Sequence, residues 1–149
     1  MQSLIRDINL ATEGRKKIDW VSNFMPTLNT LGDRFEAEQT FKGQTIVVSV
    51  HLEAKTAYLA TVLKRGGADV IVTGSNPLST QDDVAAGLVD MGITVYAWYD
   101  CTDEEYFNFL HKALDHKPHI IIDDGGDLVN LLHTTRQDAK ERLLRSEER

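Results

Sequence analysis

Among 149 residues the chain has one cysteine, three prolines, a shortage of basic side chains and no run of eighteen apolar residues. Each scarcity excludes something. Cys101 alone forms no internal disulfide and anchors no metal cluster, so it reads as a loop residue or small filler in a reducing compartment. No segment is apolar enough for a membrane span. The opening MQSLIRDINLATEGRKK has neither the uninterrupted apolar core nor the small-residue cleavage signal of a leader, and the expectation is a soluble cytoplasmic protein. Sixteen Lys and Arg against 23 Asp and Glu leave a formal charge of −7. With no basic stripe interleaved with aromatics, that balance argues against nucleic acid as a partner. No internal repeat, low-complexity stretch or long linker is present.

What is there is a chain of one-domain length, which buries roughly 70% of the surface its unfolded form exposes. Apolar periodicity switches repeatedly between helical and extended kinds. Trp20, Phe24, Leu28, Leu31 and Phe35 fall at helical spacing, with Pro26 either starting or kinking that helix, after a polar opening that contains Asp7, Asn9 and Thr12. Thr45–Val50 is a β-branched run with almost no alternation, as expected of a strand covered on both faces. A helix over Glu53–Lys64 closes at Gly66 and Gly67. A second strand, Asp69–Thr73, leads through a turn-rich stretch to Gln81-Asp82-Asp83, whose acids favour the start of a helix running to Met91.

A third strand follows at Thr94–Ala97, then a helix over Asp103–Ala113 with Tyr106, Phe107 and Leu110 inward, and a fourth strand at His119–Ile122. The charged tail, Gln137–Arg149, is expected to be a solvated helix or a frayed end. Strand and helix alternating over short connections imply parallel strands with right-handed crossovers. The fold class is therefore α/β, a doubly wound, Rossmann-like parallel sheet with helices on both faces, in one domain over residues 1–149.

Ligands of such sheets bind beyond the carboxyl ends of the strands. Three polar clusters belong there: His51 and Glu53 after the first strand; Ser75, Asn76 and Ser79 to Asp82 after the second; Asp123, Asp124 and Asp127 after the fourth. By residue type alone, Asp-Gly-Gly serves equally as turn chemistry and Asn-Pro with Ser-Thr as a loop and helix cap. His51 beside a buried run is a titratable group or a hydrogen-bonded structural histidine.

Four segments go further. HLEAKTA (51–57), SNPLSTQDDVAA (75–86), VYAWYDCTDEEY (95–106) and IIDDGGDLVNLLHT (121–134) resemble those of S-adenosylhomocysteine hydrolases, and the opening DINLATEGRKKIDW with Met25-Pro26 resembles that family's beginning. The likeness covers nearly the whole chain. It implies reversible, NAD-dependent hydrolysis of S-adenosylhomocysteine to adenosine and homocysteine, in which oxidation at the ribose 3′ position acidifies the 4′ carbon so that homocysteine is eliminated and water added. It further implies that His51 and Asp124 are the acid/base pair near the 5′ carbon, the imidazole moving the proton and the carboxylate holding its tautomer. Thr56 is implied at the nucleoside, and Asp127 as a group that orients Asp124 or caps the next helix. Gln81 and Asp82 lie in a matching segment without an assigned role. Family members are usually homo-oligomeric.

Two departures matter. Glu53 and Lys55 stand where the family's common form has threonine and glutamate. An ammonium has only donors and suits the keto oxygen of hypoxanthine rather than the amine of adenine, so S-inosylhomocysteine becomes a candidate substrate, unless Lys55 simply pairs with Glu53. The second departure is what the chain does not contain. There is no G-x-G-x-x-G turn, which the Gly125-Gly126 spacing does not meet, and no Glu-Thr-Thr-Thr segment. The expectation is an N-terminal substrate-binding portion, inactive alone, with cofactor-binding residues and metal ligands absent from it. The alternatives are a stand-alone nucleoside-binding module without catalysis and an unrelated flavodoxin-like domain.

Overall fold

A computed structural model describes residues 2–148. Its centre is a five-stranded, all-parallel sheet in the order β3-β2-β1-β4-β5. The strands are β1 (Thr45–Ser49), β2 (Asp69–Thr73), β3 (Thr94–Tyr96), β4 (Ile120–Asp123) and β5 (Arg145–Glu148). Every residue of β1 is buried, which is why its sequence does not alternate: both faces are covered. Six helices, α1 (Ala11–Ser22), α2 (Pro26–Glu38), α3 (Ala54–Arg65), α4 (Asp82–Asp90), α5 (Asp103–Leu114) and α6 (Asp127–His133), complete the described chain with two short 3-10 turns at Ile8–Leu10 and Gln137–Arg142.

Strand alternation divides the interior into two cores. Ile46, Val48, Val70, Val72 and Val95 face α1, α3 and α4, whereas Val47, Ile71, Tyr96 and Ile121 face α5, α6 and the second 3-10 turn. Ile71, Val47 and Ile121 lie side by side in register across the three central strands. Burial of each such branched side chain is worth about 1.5–3 kcal/mol relative to exposure. Connections from β1 to β3 run over one face and those from β3 to β5 over the other, so the sheet is doubly wound, as the alternating pattern implies.

Local signals explain the helix ends. Thr102 and Glu105 form a reciprocal capping box at the start of α5. The carboxylate of Glu53 caps α3, which stops at Gly66 and turns through Gly67 at φ +94°. Pro26 occupies the first turn of α2, so it starts a helix rather than kinking one.

Three expectations are corrected. The polar opening is not a lead-in: Ala11, Gly14, Ile18 and Val21 make α1 a buried helix that crosses α4, and a methyl group at Gly14 would sit 1.7 Å from the Asp83 carbonyl oxygen. Gly87 of α4 approaches the Gly14 backbone from the other side. Trp20, Phe24 and Leu31, read as lying along one helix face, are instead divided among α1, the turn that follows it and α2, and stay exposed. In α5, Tyr106 and Leu110 are buried but Phe107, one residue and about 100° round the helix from Tyr106, is exposed. The tail forms the 3-10 turn and then β5, a charged edge strand whose backbone pairs with β4. Among the described residues no helix is long and apolar enough to cross a membrane.

Candidate functional site

Strand order reverses between β1 and β4, because the chain winds outward through β2 and β3 before returning to the far side of β1. A crevice opens at the carboxyl ends of two such strands. Ser49 ends β1 opposite Asp123 of β4, and the Asp124 amide donates to the Ser49 carbonyl at 3.0 Å. Pairing of the two strands therefore delivers Asp124 to the place where the chain leaves β1. His51 stands two residues past Ser49, and its Nε2 lies 3.8 Å from Asp124 Oδ2. That is beyond hydrogen-bond length yet within charge-pairing range, and both side chains reach solvent, at 59% and 37% exposure. A small rotation would close the pair, and unliganded sites often show such loosened geometry.

The three aspartates after β4 have different surroundings. Asp123 is 2% exposed; its Oδ1 accepts from the amides of Gly125 (3.2 Å) and Gly126 (3.0 Å), and its Oδ2 from that of Val129 (3.1 Å). Its carboxylate is the internal scaffold of the turn. Gly126 takes φ +79°, a conformation side chains resist, and a Cβ on Gly125 would stand 3.4 Å from the Ser75 carbonyl, so the loops after β2 and β4 nearly touch. Asp127 begins α6, and its Oδ2 accepts from the Tyr106 hydroxyl at 2.9 Å. The same hydroxyl lies 3.0 Å from the Ser75 carbonyl. Burial, with Asp127 adding to it, pushes the Tyr106 phenol far above its ordinary range, so it stays a protonated donor.

Around β1 the helix cap uses part of the expected site. Glu53 Oε1 accepts from the amides of Lys55 and Thr56, each at 3.1 Å. Lys55 is exposed and joins no ion pair among the described residues, so pairing with Glu53 is not what its ammonium does here. Thr56 is buried in the first turn of α3. In the loop after β2, Ser79 Oγ accepts from the amides of Ser75 and Asn76, and Asn76 Oδ1 from that of Leu78. Thr80 bridges to Leu52, the Gln81 amide donates to the Leu52 carbonyl, and Asp82 accepts from the Tyr99 amide while facing Arg6. Thr73 Oγ1 and Ser75 Oγ are buried without partners. All three polar clusters thus reach one edge of the sheet, where the exposed side chains of His51, Asp124 and Lys55 make no hydrogen bond to the loops among the described residues.

Fit to a dinucleotide is testable at the same place. A Rossmann pyrophosphate sits on the N-terminus of the helix after β1, held by backbone amides. Here the Glu53 carboxylate already occupies the amides of Lys55 and Thr56, and it would repel a phosphate. The N-terminus of α3 therefore does not fit the pyrophosphate of NAD. No group of three or more His, Cys, Asp or Glu able to hold a metal occurs among the described residues. A groove of about 420 Å³ between α1 and α3, lined by Ile18, Ser22, Tyr58, Thr61, Lys64 and Met91 among others, contains none of the candidate residues. The feature missed from sequence was Tyr106, expected only to point inward; its partners are 21 and 31 residues away, and nothing local signals them.

Comparison with known proteins gives the family. The family model described as S-adenosyl-L-homocysteine hydrolase matches residues 2–149. An S-inosyl-L-homocysteine hydrolase of Methanocaldococcus jannaschii is 54% identical over 140 residues, 94% of this chain and 34% of its own. An adenosylhomocysteinase of Pyrococcus abyssi is 54% identical over 134 residues, 90% of this chain and 32% of its own. One from Thermotoga maritima is 52% identical over 130 residues, 87% and 32% respectively. The chain spans about a third of the length of these curated relatives. With a matching family model over almost every residue, the chain belongs to the S-adenosyl-L-homocysteine hydrolase family.

Proposed function

We propose that this chain forms the substrate-binding wall of a thioether hydrolase acting on an S-adenosylhomocysteine-type nucleoside, and that His51 and Asp124 are its proton-moving pair. The observation that carries this reading is their meeting at 3.8 Å where strand order reverses. An imidazole there can protonate a departing thiolate and later take a proton from attacking water, while the carboxylate orients the ring; such transfer contributes about 10²- to 10⁴-fold. Thr56 and Lys55 flank the nucleoside in this reading, with Glu53 and Asp127 fixing the segments that bound it. NAD chemistry, homocysteine as product and homo-oligomeric assembly are proposals for a protein of the relatives' full length, since the N-terminus of α3 does not fit the cofactor's pyrophosphate. A cytoplasmic setting suits the lone buried thiol of Cys101.

Calorimetric titration with adenosine and with inosine tests the reading. Saturable binding that His51→Ala and Asp124→Asn both weaken supports it. Unchanged binding in both variants would sink it. Binding without turnover, even when the chain is supplied at the relatives' full length with NAD, would instead support the non-catalytic module.

One observation favours a second, narrower reading of the base. Lys55 carries an exposed ammonium free of ion pairs, and relatives of similar identity bear S-inosyl and S-adenosyl names alike. A donor at that position suits a keto oxygen and not an exocyclic amine. Preference for inosine that Lys55→Glu reverses is the expected result; a clear adenosine preference in the unaltered protein defeats this reading while leaving the first intact.

A further inference from the structure

The segment that presents Asp124 is short and contains two adjacent glycines, Gly125 and Gly126. Such a stretch has little conformational preference of its own, so its anchors must set where Asp124 points. One anchor is Asp123, whose buried carboxylate accepts from two amides of the turn and from that of Val129 in α6. The other lies at Asp127, outside the turn's own backbone bonds. There the partner is the Tyr106 hydroxyl, which also reaches the Ser75 carbonyl of the loop after β2.

We propose that Tyr106 is a positioning residue for this site: its buried hydroxyl ties the loop after β2 to the first turn of α6 and thereby holds residues 123–127 in the geometry that presents Asp124 to His51. The proposal rests on the reading of Asp124 and His51 as the proton-moving pair. Packing does not account for the hydroxyl. The buried neighbours of Tyr106 along α5 are Phe109, Leu110, Ala113 and Leu114, all apolar, and a phenylalanine would fill the same space. A buried phenol oxygen needs partners, and both of its partners belong to the two loops that flank the end of β1. One hydroxyl proton shared by a carbonyl and a carboxylate is a three-centre bond, which fixes the separation of those loops as well as their contact with α5.

Steady-state kinetics in a hydrolase of the relatives' full length carrying these residues provides the test. Tyr106→Phe keeps the ring and its packing. The expected result is a kcat lowered about tenfold with KM within about twofold, and a kcat–pH profile displaced from that of the unaltered enzyme, because a small misplacement of a catalytic group costs rate more than binding. Asp127→Asn should behave alike, and the Tyr106→Phe/Asp127→Asn double variant should lose little more than either alone. Phe109→Leu, which weakens the same helix without touching the hydroxyl network, should leave the pH profile unmoved. Retention of kcat and profile in Tyr106→Phe, or an equal displacement by Phe109→Leu, would overturn the proposal. Asp124→Asn separates the two levels: full activity in that variant defeats the underlying reading, whereas loss there with Tyr106→Phe unchanged defeats only the positioning role.

Discussion

The two edges of the sheet hold histidines in opposite circumstances. At the amino edge, His119 Nδ1 accepts from the Thr45 amide at 2.9 Å, and His116 Nε2 lies 2.9 Å from the Tyr96 hydroxyl. Arginines seal the same end. Arg142 donates to the carbonyls of His116 and Lys117, and Arg136 to the carbonyl of His111 and the carboxylate of Asp115. At the carboxyl edge, His51 is mostly exposed, with Asp124 at 3.8 Å. The amino edge gives both of these imidazoles an internal partner, whereas the carboxyl edge leaves two titratable side chains facing water. What leaves a histidine available for chemistry is therefore not its type or its neighbour in sequence but the absence of a fixed internal partner for its ring.

The largest expected effect breaks this contrast at the carboxyl edge, where the proposed proton-moving pair lies. His51→Ala should lower turnover of the full-length hydrolase by about 10²-fold or more while shifting the urea unfolding free energy of this domain by less than about 0.5 kcal/mol, because an exposed ring contributes little to folding. Its counterpart sharpens the contrast between neighbours. Asp123→Ala should destabilise the domain by about 3 kcal/mol in the same unfolding experiment, since two amides of the turn and that of buried Val129 in α6 lose their acceptor. Asp124→Asn, one residue on, should leave unfolding nearly unchanged.

At the other edge, His119→Ala deprives the buried Thr45 amide of its partner and should cost about 1 kcal/mol of stability, with calorimetric binding of adenosine unaltered. The smallest effect is one of pH. Burial holds the His116 imidazole below its ordinary value of 6.5, against a weaker opposing pull from Asp69. Its neutral ring can accept the Tyr96 proton; its charged ring cannot. The unfolded chain thus binds a proton more readily than the folded one, so this contribution is complete above pH 6.5 and is lost as pH falls through the lower folded value. Melting temperatures recorded from pH 7.5 down to pH 5 should decline more steeply in the native protein than in a His116→Gln variant.

The elements that succeeded from sequence are those whose signal is local. β2 has the boundaries its β-branched run implies, and α3 and α5 begin and end within a residue or two of their expected limits, where Glu53, Gly66 and the Thr102–Glu105 box supply start and stop chemistry. The failures have a shared cause. α1 buries Ala11 and Gly14 as well as Ile18 and Val21, and residues that are small because a second helix must approach closely leave no apolar stripe to read. β5 is built from Arg145, Ser146, Glu147 and Glu148, and only the unpaired edge of β4 makes them a strand. Phe107 is apolar and exposed, so composition misplaces it.

For the site, residue types and spacing were enough to place His51, Glu53, Asp124 and Asp127 beyond the ends of particular strands, whereas Lys55 and Thr56 entered only through the family resemblance. They were not enough to assign tasks. Asp123, Asp124 and Asp127 are the same side chain within five positions, yet one is buried in amides, one faces His51 and one holds a phenol. Sequence by itself determined the alternation of strand and helix, and with it the parallel sheet and the edge at which a site can form, because β-branching, capping and glycine act over a few bonds. The tertiary structure decided which polar groups are already satisfied and which remain available, because those partners come from strands and helices tens of residues apart and meet only when the sheet is assembled.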